Sequence, residues 1–235
     1  MRKSIVIFAA LAVLIGFGPP AQAGDFKSGV HYFELMEKQP VQTGQKVEVT
    51  EAFWYLCPHC AELEPMIEAW RKKGMPASAE LVIMPAVLRD TWAFHARTYY
   101  AFEALGIAQK AHPALLKEIH ERKARIGTAQ EMAKFAAQFG ATEKDFLDAF
   151  TSFSVDAKLR WATRLSEAYE LDGVPAIIVD GKYRTSAATA GGYAELFELV
   201  NFLVAKAASE RRGAPAATPP PKPASPAPAK PATPK

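Results

Sequence analysis

The chain has 235 residues, with 28 Lys plus Arg against 25 Asp plus Glu and a formal net charge of +3. Seven of the basic residues and none of the acids lie in residues 1–23 and 211–235, so Gly24 to Glu210 carries 21 basic against 25 acidic residues and is weakly acidic. That balance excludes the basic stripe of a nucleic-acid-binding protein, and pairs such as Lys72-Lys73 and Arg122-Lys123 read as solvated helix faces.

In chain order, Met1-Arg2-Lys3, an apolar run from Ile5 to Phe17 and the small-x-small triplet Ala21-Gln22-Ala23 predict a secretory signal peptide over residues 1–23. The run is shorter than the roughly 18 to 20 apolar residues that span a bilayer. It also ends at Gly18-Pro19-Pro20, so an exported, soluble mature chain starting at Gly24 is expected. Lys46 to Tyr55 reads as a strand that becomes fully buried toward its aromatic end. A helix follows Cys57: Pro58 suits a first turn that has no amide partner to lose, Leu63, Met66, Ile67 and Trp70 recur at helical spacing, and Pro65 is expected to kink it. Glu80 to Val87 is a second apolar strand.

Five amphipathic segments come next, Trp92–Leu105, Pro113–Lys123, Ala129–Phe139, Glu143–Phe150 and Val155–Leu171, with no strand among them. "GVPAIIVDGKYRT" then reads as strand, Asp180-Gly181 turn and strand. A last helix is predicted over Tyr193–Ala208. From Arg211 to Lys235 the composition falls to Ala, Pro, Lys, Ser and Thr, a disordered tail. A solvated spacer is its first reading, and a contact with anionic envelope material its second.

The chemistry concentrates in "EAFWYLCPHCAELEP", Glu51 to Pro65, which holds the only two cysteines. A structural disulfide between them would close a very small loop and constrain the unfolded chain little. Structural zinc needs four ligands, and no second CxxC or HxxxH pair exists; haem attachment needs His where Ala61 stands. A redox-active dithiol accounts for the neighbours as well. Cys57 at a strand-to-helix junction meets unpaired amides and the positive end of the helix dipole, which favour a thiolate, and Cys60, one turn in, is shielded. His59 can add a hydrogen bond or a positive charge near the Cys57 sulfur. His31, His95, His112 and His120 read as ordinary surface or core residues.

With "FWYLCPHC", an acid six residues before the first Cys, a helical block and "GVP" before a hairpin, the stretch from Phe26 to Ala208 resembles the DsbA family of bacterial periplasmic disulfide oxidases in the thioredoxin superfamily. The resemblance implies an α/β thioredoxin-like fold with an inserted α-helical domain: residues 24–87 and 172–210 form the thioredoxin-like part and 88–171 the insertion. It implies that Cys57 is the nucleophile, Cys60 the resolving cysteine and Pro58-His59 the dipeptide that tunes the redox potential. Val174-Pro175 matches the family's substrate-binding cis-proline loop, and Glu51 a buried acid that handles the proton of the resolving thiol. Pro65 matches a structural helix proline.

The implied partners are reduced exported proteins and a DsbB-type inner-membrane reoxidant. The implied protein is a periplasmic monomer whose only redox group is the Cys57–Cys60 disulfide, with no metal or organic cofactor. Two alternatives remain open at this level: a disulfide isomerase or reductase on the same fold, and a non-catalytic envelope chaperone or adaptor. Against the first, only about 34 residues separate Gly24 from Cys57, which leaves no room for an upstream dimerisation domain.

Overall fold

The structure is a computed structural model that describes residues 25–213. The expected signal peptide lies outside the described residues, as does the tail from residue 214 onward.

β2 (Val47–Phe53) is the centre of the fold: all seven residues are buried, as a strand covered on both faces requires. It pairs in parallel with β3 (Ala79–Pro85) and antiparallel with β4 (Ala176–Val179). β5 (Tyr183–Thr185) continues the sheet antiparallel to β4, and β1 (Phe33–Glu34) closes it, giving the order β1-β5-β4-β2-β3. The β4–β5 turn takes left-handed backbone at both central residues, φ +59° at Asp180 and +61° at Gly181. That is the primed-turn geometry an Asp-Gly pair favours. A side chain at position 181 would also strike the Gln39 carbonyl, 2.3 Å from where its Cβ would sit.

α1 (Pro58–Lys73) leaves the end of β2, and α8 (Tyr193–Gly213) packs against β2 and β4. Leu63, Ile67 and Trp70 of α1 share a core with Val47 and Val49 of β2 and Leu196, Leu199, Val200 and Leu203 of α8. Between β3 and β4 the chain runs through a 3₁₀ turn (Asp90–Trp92), α2 (Ala93–Ala104), α3 (Ala108–His120), α4 (Ala129–Ala137), α5 (Glu143–Phe150) and α6 (Phe153–Ala168). α2 is the hub of this insertion. It contacts α3, α4, α5 and α6, and His95, Ala96 and Thr98 through Phe102 are all buried. The architecture is thus a thioredoxin-like α/β fold with an inserted helical region.

The structure departs from expectation in several places. α3 begins at Ala108, and Pro113 lies inside it instead of opening it, at the cost of the bond its amide would have made to the carbonyl of Gln109. β1 and the one-turn α7 (Ala187–Ala190) were not foreseen. The last helix also extends past Arg211, where the tail was expected to begin. α8 runs through Arg211 and Arg212 to Gly213, and Arg211 pairs with the buried Asp180 and donates to the carbonyls of Gly44, Gln45 and Lys46. Asp180 has a second partner in Lys38 Nζ at 2.6 Å.

Candidate active site

Cys57 is the N-cap of α1, in extended conformation (φ −84°, ψ 115°), with Pro58 next in the helix and the Ala61 amide donating to its carbonyl at 3.3 Å. The end of β2 is held by packing: Phe53 and Tyr55 are fully buried edge to face, 5.0 Å between centroids. Cys57 retains 7% exposure and Cys60 none, whereas Pro58 and His59 are exposed. One turn of helix therefore sets a reachable sulfur in front of a sealed one.

Both cysteines are free thiols, and their acidities are driven apart. The thiol of Cys57 is brought down from 9.0 to about 6. The hydrogen bond from Cys60 is the largest cause; burial opposes it, the amides of Cys60 and His59 add to it, and the His59 charge comes last. Burial pushes the Cys60 thiol up, and its hydrogen bond to Cys57 and the Cys57 charge push it further. The His59 ring also has a partner of its own: Nδ1 lies 3.1 Å from Glu62 Oε2. Its imidazole is held above its ordinary value by that carboxylate.

Glu51 sits in the middle of β2 at 1% exposure, and its Oε2 has no hydrogen-bond partner. Burial raises its pKa well above the ordinary carboxylate value, with Glu64 and Glu68 of α1 adding to the rise. Its charge is among the influences that raise Cys60, so the two groups sit within electrostatic reach of each other. A carboxyl in that state can hold a proton at neutral pH and give it up to a nearby thiolate.

The Val174–Pro175 peptide bond is cis, and the carbonyl oxygen of Val174 accepts from Cys57 Sγ at 3.3 Å. Both residues line a groove of about 520 Å³ together with His59, Phe33, Ala188 and Tyr193. Cys57, Pro58, His59, Val174 and Pro175 meet at the surface, and Cys60 and Glu51 lie beneath. Among the described residues, no group of three or more His, Cys, Asp or Glu side chains could hold a metal ion.

Three of the histidines expected to be ordinary touch the active-site turn. Burial holds Tyr55 in its protonated form, its hydroxyl and His112 Nδ1 share a hydrogen bond of 3.1 Å, and His112 Nε2 lies 3.4 Å from Glu64 Oε2. His120 Nε2 donates to the carbonyl of Tyr55 at 2.8 Å. α3 thus grips the residue two before Cys57 by its side chain and its backbone. Trp54 stacks on Trp92 at 4.2 Å and donates its indole N–H to His95, whose burial brings its pKa down to about 4. Only Glu64 left a readable trace, since it lies four residues after Cys60 and so on the same helix face.

The geometry agrees with the comparisons to known proteins. The family model described as a DSBA-like thioredoxin domain matches residues 80–203. The thiol:disulfide interchange protein DsbA of Pseudomonas aeruginosa is 36% identical over 204 residues, covering 87% of this chain and 96% of the relative. That of Pseudomonas syringae is 37% identical over 216 residues, covering 92% and 99%. Coverage of that extent takes in the Cys57–Cys60 turn. The crystal structure of Pseudomonas aeruginosa DsbA matches with a TM-score of 0.75 and 35% identity, over 81% of this chain and 98% of that one. A CxxC pair at a helix N-terminus, faced by a cis-proline loop and followed by an inserted helical region, goes with these likenesses: the chain belongs to the DsbA family of thiol:disulfide oxidoreductases.

Proposed function

We propose that the protein is a disulfide oxidase that donates the Cys57–Cys60 disulfide to reduced exported proteins. The observation that carries this direction is the split between the two sulfurs, with Cys57 brought down to about 6 and Cys60 pushed up. A reduced form stabilised as a thiolate makes the disulfide a stronger oxidant.

In the proposed cycle a substrate thiolate attacks Cys57 Sγ, the Cys57–Cys60 bond breaks, and Cys60 leaves with the electron pair. The Glu51 carboxyl supplies the proton that this leaving sulfur takes up. A second substrate thiolate then attacks the substrate sulfur of the mixed disulfide, and Cys57 leaves as the thiolate. Two electrons have passed to the protein, and the substrate carries the new disulfide. The backbone of Val174, beside Pro175, offers hydrogen-bonding groups to an extended substrate segment in the groove. Pro58 and His59 adjust the acidity of Cys57.

Turnover requires reoxidation by an external electron acceptor, for which a DsbB-type inner-membrane quinone-linked protein is the proposed partner. No bound cofactor enters the cycle. The proposal places the monomeric protein in the periplasm after removal of residues 1–23. Among the described residues no helix is long and apolar enough to cross a membrane.

The test uses the purified oxidised protein and a reduced two-cysteine peptide. One equivalent of peptide disulfide should form per protein and the reaction should then stop. Cys57→Ser should abolish it, while Cys60→Ser, activated as a mixed disulfide at Cys57, should exchange its activating thiol for a one-cysteine peptide and retain that adduct, since no second thiol is present to resolve it. Equal trapping by both variants defeats the assignment of roles. A potential in the range of cytosolic reductants defeats the oxidase direction.

A further inference from the structure

The His59 ring is tethered. Glu62, one helical turn along α1, receives His59 Nδ1 at 3.1 Å on Oε2, and the same oxygen accepts from the Tyr193 hydroxyl at 3.2 Å. Tyr193 opens α8, 131 residues away in sequence, and its hydroxyl also lies 3.5 Å from the His59 carbonyl. The side chains of His59 and Glu62 are 71% and 56% exposed. An ion pair so open to water contributes little to folding stability. Its position gives it another use, because the pair stands two residues from the reactive sulfur and Tyr193 lines the same groove as Val174 and Pro175.

We propose that Glu62 and Tyr193 are positioning residues that keep His59 protonated and fixed beside Cys57, and so extend the oxidising poise of the dithiol to higher pH. This rests on the oxidase reading of the same site. With Nδ1 engaged by a carboxylate, the ring holds its second proton at Nε2 above the pH at which a free imidazole, with a pKa of about 6.5, would lose it. The direction agrees with the groups themselves: Glu62 raises His59, and His59 and Tyr193 lower Glu62. The charge of Cys57 also raises His59, so the cation is held most firmly when the dithiol is reduced. The other charged groups lining the groove are Asp172 and Arg184, which pair with each other at 3.6 Å and largely offset. Tyr193 anchors Glu62 from a second element, so the carboxylate does not swing into solvent.

The experiment follows His59 by proton NMR titration of its ring in oxidised full-length protein. In parallel, glutathione equilibrium is measured at about pH 5 and about pH 7.5 for wild type, Glu62→Gln and Tyr193→Phe. Glu62→Gln should return the His59 titration toward the free-imidazole value and shift the glutathione ratio at half reduction by about two- to four-fold toward a weaker oxidant near pH 7.5. Near pH 5, where the ring is protonated in every variant, no loss should appear. Tyr193→Phe should move both readouts in the same direction by less, and Glu62→Asp should recover part of the His59 shift. An unchanged His59 titration in Glu62→Gln, or an equal loss at both pH values, overturns the proposal. A wild-type potential in the reductase range would instead overturn the oxidase reading and leave the His59 result standing, so the two failures are distinguishable.

Discussion

Replacing Cys60 tests the origin of the Cys57 acidity directly, since the hydrogen bond from its thiol is the largest cause of the downward shift. From 9.0 to about 6 is about three pH units, or about 4 kcal/mol at ~1.36 kcal/mol per unit, an upper bound once solvent screening of the sulfur is allowed for. A hydrogen bond to a charged group contributes roughly 1.5 to 3 kcal/mol, which corresponds to about one to two pH units. Cys60→Ala should therefore titrate at about 7 to 8, while Cys60→Ser, which keeps a donor at the same place, should stay within about half a unit of wild type. Ultraviolet absorbance of the thiolate against pH reads the value in each single-cysteine protein. An alanine variant that titrates with wild type would show that the helix terminus and backbone amides set the acidity alone. A serine variant that rises as far as alanine would assign the effect to packing.

Glu51→Gln should raise stability near pH 7 by about 1 to 3 kcal/mol, because it removes a buried carboxyl whose charged form lacks a partner. Its raised pKa means that the wild-type penalty is absent below the unfolded carboxylate value of about 4.3 and grows as pH rises toward the folded value, so urea unfolding should show the gain vanishing near pH 4. His59→Ala should lower the potential only slightly, since the ring is exposed and its charge, the smallest of the influences on Cys57, is screened by water; glutathione equilibration measures it. Truncation after Gly213 should leave the melting temperature unchanged. Truncation after Glu210 removes Arg211 and leaves Asp180 to Lys38 alone, which should cost about 1 to 3 kcal/mol in thermal or urea unfolding.

What was legible in the sequence is what is encoded locally. CxxC spacing, Pro58 after the N-cap, the Asp180-Gly181 turn and the helical periodicity of the insertion each rest on neighbours within a turn or two. They led to the right elements in the right order. β1 has two residues, too few to show alternation, and α7 is a single turn that depends on the Ser186–Thr189 capping box. Pro113 misled because proline most often opens a helix, and here tertiary packing of α3 outweighs its missing hydrogen bond. The roles of His112 and His120 were hidden because Tyr55 lies 57 and 65 residues away. Arg211 was assigned to the tail on composition, and its pairing with Asp180, 31 residues back, carries no local signature.

The same hydrogen bond acts on both sulfurs, adding to burial at Cys60. Donated by Cys60 to Cys57, it lowers one thiol and raises the other, so the reduced pair holds a single negative charge on the outer sulfur and its proton on the inner one. An incoming thiolate can reach only Cys57, because Cys60 is fully buried, and so the sulfur it must expel is the one that is the poorer anion. Expulsion of a high-pKa thiolate is slow unless a proton meets it. In the proposed cycle that proton comes from Glu51, whose burial without a partner keeps it neutral at a pH where exposed carboxyls are charged. The cost of burying an unpaired carboxyl in the central strand is thus tied to the choice of which sulfur faces the substrate.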